Sequence, residues 1–251
     1  MSSIALVIPA RLGSTRLSRK ALADIEGQPM VVRVAERATQ VPGLSRIIIA
    51  TDSEEIAAVV RGRGFEAQLS PAELKSGTDR VAFVAKDLRE TIIVNLQGDE
   101  PVVPPEAISA AIEPVNSGRT VMGSVMTRFL DFADFQSPSA VKVITDQDRN
   151  AIVFSRQTIP FRQNPVSDEE FLRNPYLGKH MGIYVYERDF LLKFAAWSPI
   201  FWEQVESLEQ LRALFHGVKI GMGFSKKGSQ SVDTAEDLDK ARTIFRELRN
   251  G

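Results

Sequence analysis

Short apolar runs and amphipathic stretches alternate through the first half of the chain. Residues 4–8, "IALVI", precede a polar loop and read as a strand buried on both faces of a sheet. "MVVRVAERAT" spaces Val31, Val34, Ala35 and Ala38 at helical intervals behind Pro29, a residue suited to a helix start. "RIIIATD" predicts the next strand. "SEEIAAVVRGRG" predicts a helix capped by Ser53, with acids in its first turn and Gly64 past its end. Residues 78–88 predict a further helix, "TIIVNLQGDE" a buried strand with a polar end, and "PPEAISAAIEPV" a helix opened by proline. Such alternation predicts an α/β fold with an open, mostly parallel, three-layer sheet.

From about residue 119 the rhythm changes. "TVMGSVMTRF", "AVKVITD" and "AIVFSR" are strand-like with no helix between them. Residues 161–178 form a polar, proline-containing loop, followed by the strand-like "KHMGIYVY". Helices are expected at 187–196 and 205–216, then a strand at "VKIGMGF" and a last helix from Ala235. No internal repeat is present. The expectation is a single domain over residues 1–251, with about 119–225 as a smaller antiparallel insertion.

Charge changes this picture at one place. Net charge is −1, so no global field gathers nucleic acid or an anionic membrane. Yet "RLGSTRLSRK", directly after the first strand, holds Arg11, Arg16, Arg19 and Lys20. Local charge on a nearly neutral protein points to a small anionic ligand. Cysteine is absent, which removes disulfides, thiolate zinc sites and thiol nucleophiles. Only His180 and His216 are available for histidine chemistry. No run approaches the roughly 18–20 apolar residues of a membrane helix, and no leader pattern is seen; a soluble cytoplasmic protein is expected.

In open α/β sheets ligands bind beyond the carboxyl ends of the strands, which is where the basic loop lies. Gly13 permits close backbone approach, Ser14 and Thr15 offer donors, and Arg11, Arg16 and Lys20 can neutralise phosphate. The loop is neither GxGxxG nor GxxxxGK[ST]. The same residues also read as a solvated basic loop. Asp99 and Glu100 end the strand of "NLQGDEP"; beside phosphate such carboxylates suggest Mg²⁺, or else a helix cap. Asp233 in "SVDTAEDL" reads first as a helix N-cap, as does Thr234. "KSGTDR" sets Ser76, Gly77 and Thr78 before a helix, whose amides can bind a base edge or an anion. His180 and Tyr184 are evenly spaced on a strand and so share a face. Arg156, Glu209 and Gln210, taken singly, read as structural or surface residues.

In order, "IPARLGSTRLSRKAL", "PMVVRVAERA", "ATD", "SGTDR", "NLQGDEP", "AVKVITD", "FSRQTIP", "KHMGIYVY", "LEQLRALFHGVKI" and "VDTAEDL" span about residues 4–245. This order and spacing resemble the 3-deoxy-manno-octulosonate cytidylyltransferases, the CMP-Kdo synthetases. The resemblance implies the nucleotide-diphospho-sugar transferase type of α/β sheet and a homodimer. It implies a Mg²⁺-dependent transfer of CMP from CTP to an acidic 3-deoxy-octulosonate sugar, for lipopolysaccharide synthesis.

By residue, it implies that Ala10, Arg11, Gly13, Ser14, Arg16 and Lys20 hold the triphosphate, Arg11 and Lys20 most strongly. Ser76, Gly77, Thr78 and Gln97 would lie by the nucleotide. Asp99 and Asp233 would carry the metal, and Gln97, Arg156, His180, Tyr184, Glu209 and Gln210 would line the sugar. Against the family pattern, this chain has Ser18-Arg19 after "TRL", Leu74-Lys75 before "SGT", Arg162 beside the usual arginine position, and Lys179 where arginine is frequent. Lys179 also occurs in relatives that activate the 8-amino analogue of Kdo. A sialic acid cytidylyltransferase and a silent nucleotide-binding relative are the alternative readings.

Overall fold

The computed structural model describes residues 3–13 and 17–250. The chain divides into two compact units, Met1–Ser109 with Ser229–Gly251, and Ala110–Gly228.

The first unit is built on a parallel sheet. Strand β1 (Ile4–Ala10) is followed by a single 3₁₀ turn (Lys20–Leu22) and a two-residue antiparallel pair, β2 (Asp24–Ile25) and β3 (Gln28–Pro29). Helix α1 (Met30–Ala38), β4 (Leu44–Thr51), α2 (Glu54–Arg61), β5 (Glu66–Leu69), α3 (Gly77–Ala85) and β6 (Ile92–Leu96) follow. β1 lies between β4 and β6, parallel to both, and β4 pairs in parallel with β5. The apolar run of β1 has its cause here: a strand flanked on both edges and covered on both faces leaves Ala5, Leu6, Val7 and Ile8 with no exposed surface. α1 buries Val31, Val34, Ala35 and Ala38, the positions its spacing marked. Ser53 caps α2 by accepting from the amide of Ile56 at 3.3 Å.

Helix α4 (Pro105–Asn116) leads into the second unit, which holds β7 (Met122–Thr127), α5 (Phe132–Gln136), β8 (Lys142–Thr145), β9 (Ala151–Ser155), α6 (Asp168–Leu172) and β10 (Leu177–Glu187). It continues through α7 (Arg188–Ala196), α8 (Phe201–Glu206), α9 (Gln210–Phe215) and β11 (Ile220–Phe224). β10 pairs antiparallel with β7 and β8, and β8 with β9, while β11 joins β7 in parallel. Helix α10 (Ala235–Asn250) returns the chain to the first unit.

Five features differ from the sequence expectation. β5 and the β2–β3 pair were not anticipated. α5 is a further unanticipated helix, started by Asp131, whose carboxylate accepts from the Asp134 amide at 2.8 Å. The loop at 161–178 contains α6, capped by Ser167. The helix expected at 205–216 is two short helices, because Ser207 turns the chain at a φ of 52°.

Among the described residues, no helix is long and apolar enough to cross a membrane.

Candidate active site

Every group of the first cluster belongs to the first unit. Lys20 Nζ donates to Asp99 Oδ2 at 2.7 Å and to Asp233 Oδ1 at 2.8 Å. Residues 79 and 213 positions away in sequence thus meet at one ammonium. Backbone geometry arranges this. Val232 is fully buried in the apolar cluster of Ile25, Met30, Leu238 and Phe245, and its amide donates to the Asp99 carbonyl at 2.9 Å. Burying such a valine stabilises by about 1.5–3 kcal/mol, which fixes the place of the next residue, Asp233. Capping of α10 falls to Thr234, whose hydroxyl accepts from the Asp237 amide at 3.2 Å. The Asp237 carboxylate accepts in return from the amides of Asp233 and Thr234. Asp233 is therefore not the side-chain cap, and its carboxylate is turned to Lys20.

Gly98 brings the strand ends together, since a Cβ there would stand 2.8 Å from the Pro9 carbonyl oxygen. A cavity of about 270 Å³ opens beside them, lined by Ala10, Arg11, Gly13, Lys20, Ser76, Gly77, Gln97, Asp99 and Asp233 among others. The predicted phosphate loop, SGT turn and both acids thus border one space. Ser14, Thr15 and Arg16 lie outside the described residues. Ser76 caps α3 in a reciprocal box with Asp79, giving the turn a fixed shape. Thr78 is buried beneath it: its hydroxyl accepts from Asn95 Nδ2 at 3.2 Å, and Gln97 Nε2 donates to Asn95 Oδ1 at 3.0 Å. The added cation Arg19 is paired with Glu55, outside this lining.

Burial works to lower the Lys20 pKa, but attraction to Asp99 and hydrogen bonds to both acids outweigh it and raise the value. Burial, then the neighbouring Asp99 charge, pushes the Glu100 carboxyl up to about 7, despite a hydrogen bond from Ser229. Two carboxylates facing one cation suit magnesium, which takes one or two protein carboxylates together with phosphate and water oxygens. Among the described residues no group of three or more acidic, histidine or cysteine side chains forms a metal site.

The second cluster lies in the second unit, where His180 and Gln210 are buried and Arg156, Tyr184 and Glu209 are half-buried. Tyr184 Oη donates to Gln210 Oε1 at 2.9 Å, which leaves Gln210 Nε2 buried with no hydrogen-bond partner among the described residues. The His180 and Tyr184 rings are 5.4 Å apart, in keeping with the shared face their even spacing predicts. Burial holds the His180 pKa down to about 3, so the ring is neutral. Burial, then the Glu209 charge, raises that of Tyr184, against the pull of Arg156. Arg156 is held by its own unit: its Nε donates to the Glu206 carbonyl at 2.7 Å, and its amide to the Glu206 carboxylate at 2.8 Å. Glu209 stands at the start of α9 and accepts from Arg212 at 3.3 Å. Five of the six residues predicted to line the sugar thus belong to one neighbourhood around Tyr184, whereas the sixth, Gln97, lines the cavity of the first unit.

The chain matches the Cytidylyltransferase family over residues 5–220. A 3-deoxy-manno-octulosonate cytidylyltransferase of Geotalea uraniireducens is 47% identical, covering 94% of this chain and 96% of the relative. The Pelobacter propionicus protein of the same name is 44% identical over 99% of each. The chain belongs to the 3-deoxy-manno-octulosonate cytidylyltransferase family. A solved structure of CMP:2-keto-3-deoxy-manno-octonic acid synthetase complexed with CTP is 34% identical, with a TM-score of 0.90 over 98% of this chain and 100% of that one. The α/β nucleotidyltransferase fold expected from the sequence is therefore present.

Within the cytidylyltransferase scaffold, several contributors escaped the sequence reading. Arg80 lines the cavity and is tied to Asp52 Oδ2 at 3.0 Å, an ion pair linking "ATD" with "SGTDR". Glu206 holds both Ser155 and Arg156, and Arg212 forms a buried ion pair with Glu203. The "LEQLR" motif carries Arg212, but nothing in its spacing reveals a partner on another helix. Lys75 lines the cavity, whereas Lys179 is paired with Asp134 at 2.8 Å. Arg162 is held by Asp168 at 2.7 Å between the rings of Phe132 and Phe171.

Proposed function

We propose that the protein transfers CMP from CTP to the anomeric C2 hydroxyl of 3-deoxy-manno-octulosonate and releases pyrophosphate. The observation that carries this reading is the convergence of Asp99 and Asp233 on Lys20 beside the cavity of Arg11 and Gly13. The names of relatives 47% and 44% identical supply the substrate pair. The C2 oxygen forms a bond to the α-phosphorus, and the bond from that phosphorus to the oxygen bridging to the β-phosphate breaks. The electron pair leaves with pyrophosphate, and the hydroxyl proton passes to solvent or buffer.

Both reactants are anionic, so neutralisation and alignment carry the rate. Arg11 and Lys20 offset charge on the departing pyrophosphate, with Ser14 and Arg16 assisting. Ser76, Gly77 and Gln97 position the nucleotide. Asp99 and Asp233 would hold a magnesium ion, which when bound would supply further charge neutralisation and Lewis acidity. In the second unit, the unpartnered Gln210 Nε2 offers a donor, and Arg156, His180, Tyr184 and Glu209 add charge and shape for the acidic sugar. Lys179 leaves the 8-amino analogue as a candidate alongside Kdo. The protein acts in the cytoplasm as a homodimer; exposed Phe201, Trp202 and Val205 on α8 support self-association.

The test is pyrophosphate release from CTP with Mg²⁺, with Kdo, its 8-amino analogue and sialic acid run in parallel. Release with one octulosonate only is expected and names the sugar. Release with sialic acid alone would replace the substrate, and CTP binding without release from any sugar would make the protein a silent binder. Light scattering checks the dimer.

A further inference from the structure

His180 sits on β10 opposite β7, where the strand pairing is irregular: Met181 faces Val125, and the next paired residue is Tyr184, facing Ser124. Ile183 has no paired residue on β7 in this register. Ser124, with no exposed surface, supplies its partner: Oγ is 2.8 Å from Ile183 O and 2.8 Å from His180 Nε2. A serine hydroxyl has one proton, and a carbonyl oxygen can only accept. The proton therefore goes to Ile183, and Ser124 Oγ can only accept from the imidazole. His180 must carry its ring proton on Nε2.

The other nitrogen, Nδ1, is then a bare acceptor. It accepts from no described residue, and the residue as a whole keeps 9% of its surface exposed. Edge-on packing by Phe154, 5.0 Å away, and the Tyr184 ring fix the ring plane. Burial, which holds the group neutral, removes the doubly protonated alternative.

We propose that Ser124 is a positioning residue: it locks His180 as the Nε2–H tautomer, so that Nδ1 is a fixed acceptor for a hydroxyl of the sugar. This rests on His180 facing the sugar, as the functional reading holds. Beside the Gln210 Nε2 donor, the second unit then offers one acceptor and one donor of set polarity. The pair would select a hydroxyl-bearing ligand and disfavour an anionic oxygen at Nδ1.

Long-range ¹⁵N–¹H correlation of the histidine rings tests this in the whole protein, with His216→Asn assigning the two signals. Wild type should show a protonated Nε2 and an unprotonated Nδ1 at His180; the reverse would overturn the proposal with no reliance on a variant at Ser124. In Ser124→Ala the proton should redistribute toward Nδ1, the sugar KM should rise about tenfold, the scale of one lost hydrogen bond, and the CTP KM should hold. An unchanged tautomer and sugar KM in that variant would overturn it. His180→Ala separates the two readings. An unaltered sugar KM there removes His180 from the sugar site altogether, whereas a raised KM with the opposite wild-type tautomer removes only the role of Ser124.

Discussion

The two units arrange polar chemistry in opposite ways. In the first, an ammonium and two carboxylates meet where each keeps some solvent, the side chains being 14%, 33% and 36% exposed. Charge is present before any ligand arrives, and it is balanced by charge. In the second, His180 and Gln210 are buried and Tyr184 half-buried, and each is held by a directional hydrogen bond rather than by an opposite charge. The difference follows from desolvation. Ions shared with phosphate must exchange partners, which part-exposed groups do at small cost, whereas discrimination among hydroxyls needs fixed donors and acceptors in a dry setting. The charged cluster should therefore govern rate, and the neutral cluster selectivity.

The largest break in that contrast is expected from Asp99→Asn. Turnover should fall on the order of a thousandfold, the scale seen when a charge-stabilising group is lost. The fold should persist, since Lys20 keeps Asp233. Steady-state pyrophosphate assays with circular dichroism check both halves, and undiminished turnover would remove Asp99 from the proposed metal site.

Lys20→Met should slow catalysis about a hundredfold and leave two carboxylates facing each other without a cation. Melting temperature should then drop in EDTA and recover with Mg²⁺ by more than in wild type. Equal metal responses in the two proteins would show that the acids do not share a cation.

Gln210→Met should raise the sugar KM about tenfold while sparing the CTP KM. Its stability should stay within about 1 kcal/mol of wild type, because removing an unpaired buried amide offsets the acceptor lost to Tyr184. Denaturant titration beside two-substrate kinetics reads both. A stability loss with unchanged KM would make Gln210 structural.

The remaining effects concern the pH dependence of stability, and the two units should slope in opposite directions. His180 titrates near 6.5 when unfolded and at about 3 when folded, so between those values the unfolded chain binds more protons. Its contribution is complete above 6.5 and lost as pH falls, by up to about 1.4 kcal/mol per pH unit. Glu100 is raised from 4.5 to about 7, so its contribution is complete below 4.5 and lost as pH rises toward 7. Urea unfolding of His180→Gln and Glu100→Gln across pH 4 to 8 separates them. His180→Gln should flatten the acid limb and Glu100→Gln the neutral limb; identical pH profiles in both variants would refute the assignment.

Much of the fold could be read before any coordinates, and the reasons are local. β1 and β6 are almost wholly covered strands, so their sequences are apolar runs broken in β6 only by Asn95; α1 and α2 show a buried face at helical spacing, and Ser53 is a cap in sequence and in space. β5, "EAQL", was missed because it has no strong apolar pattern and its residues are exposed or half-buried. The break at Ser207 was missed because a serine in a left-handed turn carries no mark in sequence. The motifs named the five residues around Tyr184, yet their holders Glu206, Arg212 and Ser124 act through partners on other elements.

What the sequence determined by itself were the elements, the basic loop and the family, since periodicity, caps and ordered motifs are properties of neighbouring residues. Whether Asp233 caps a helix or faces Lys20, and which nitrogen of His180 bears the proton, only the tertiary structure decided. The first answer depends on Val232 being buried and bonded to Asp99, the second on a bulge that gives the Ser124 proton to Ile183. Such choices are made by long-range contacts that compete for a single donor or carboxylate, and no local pattern records who wins.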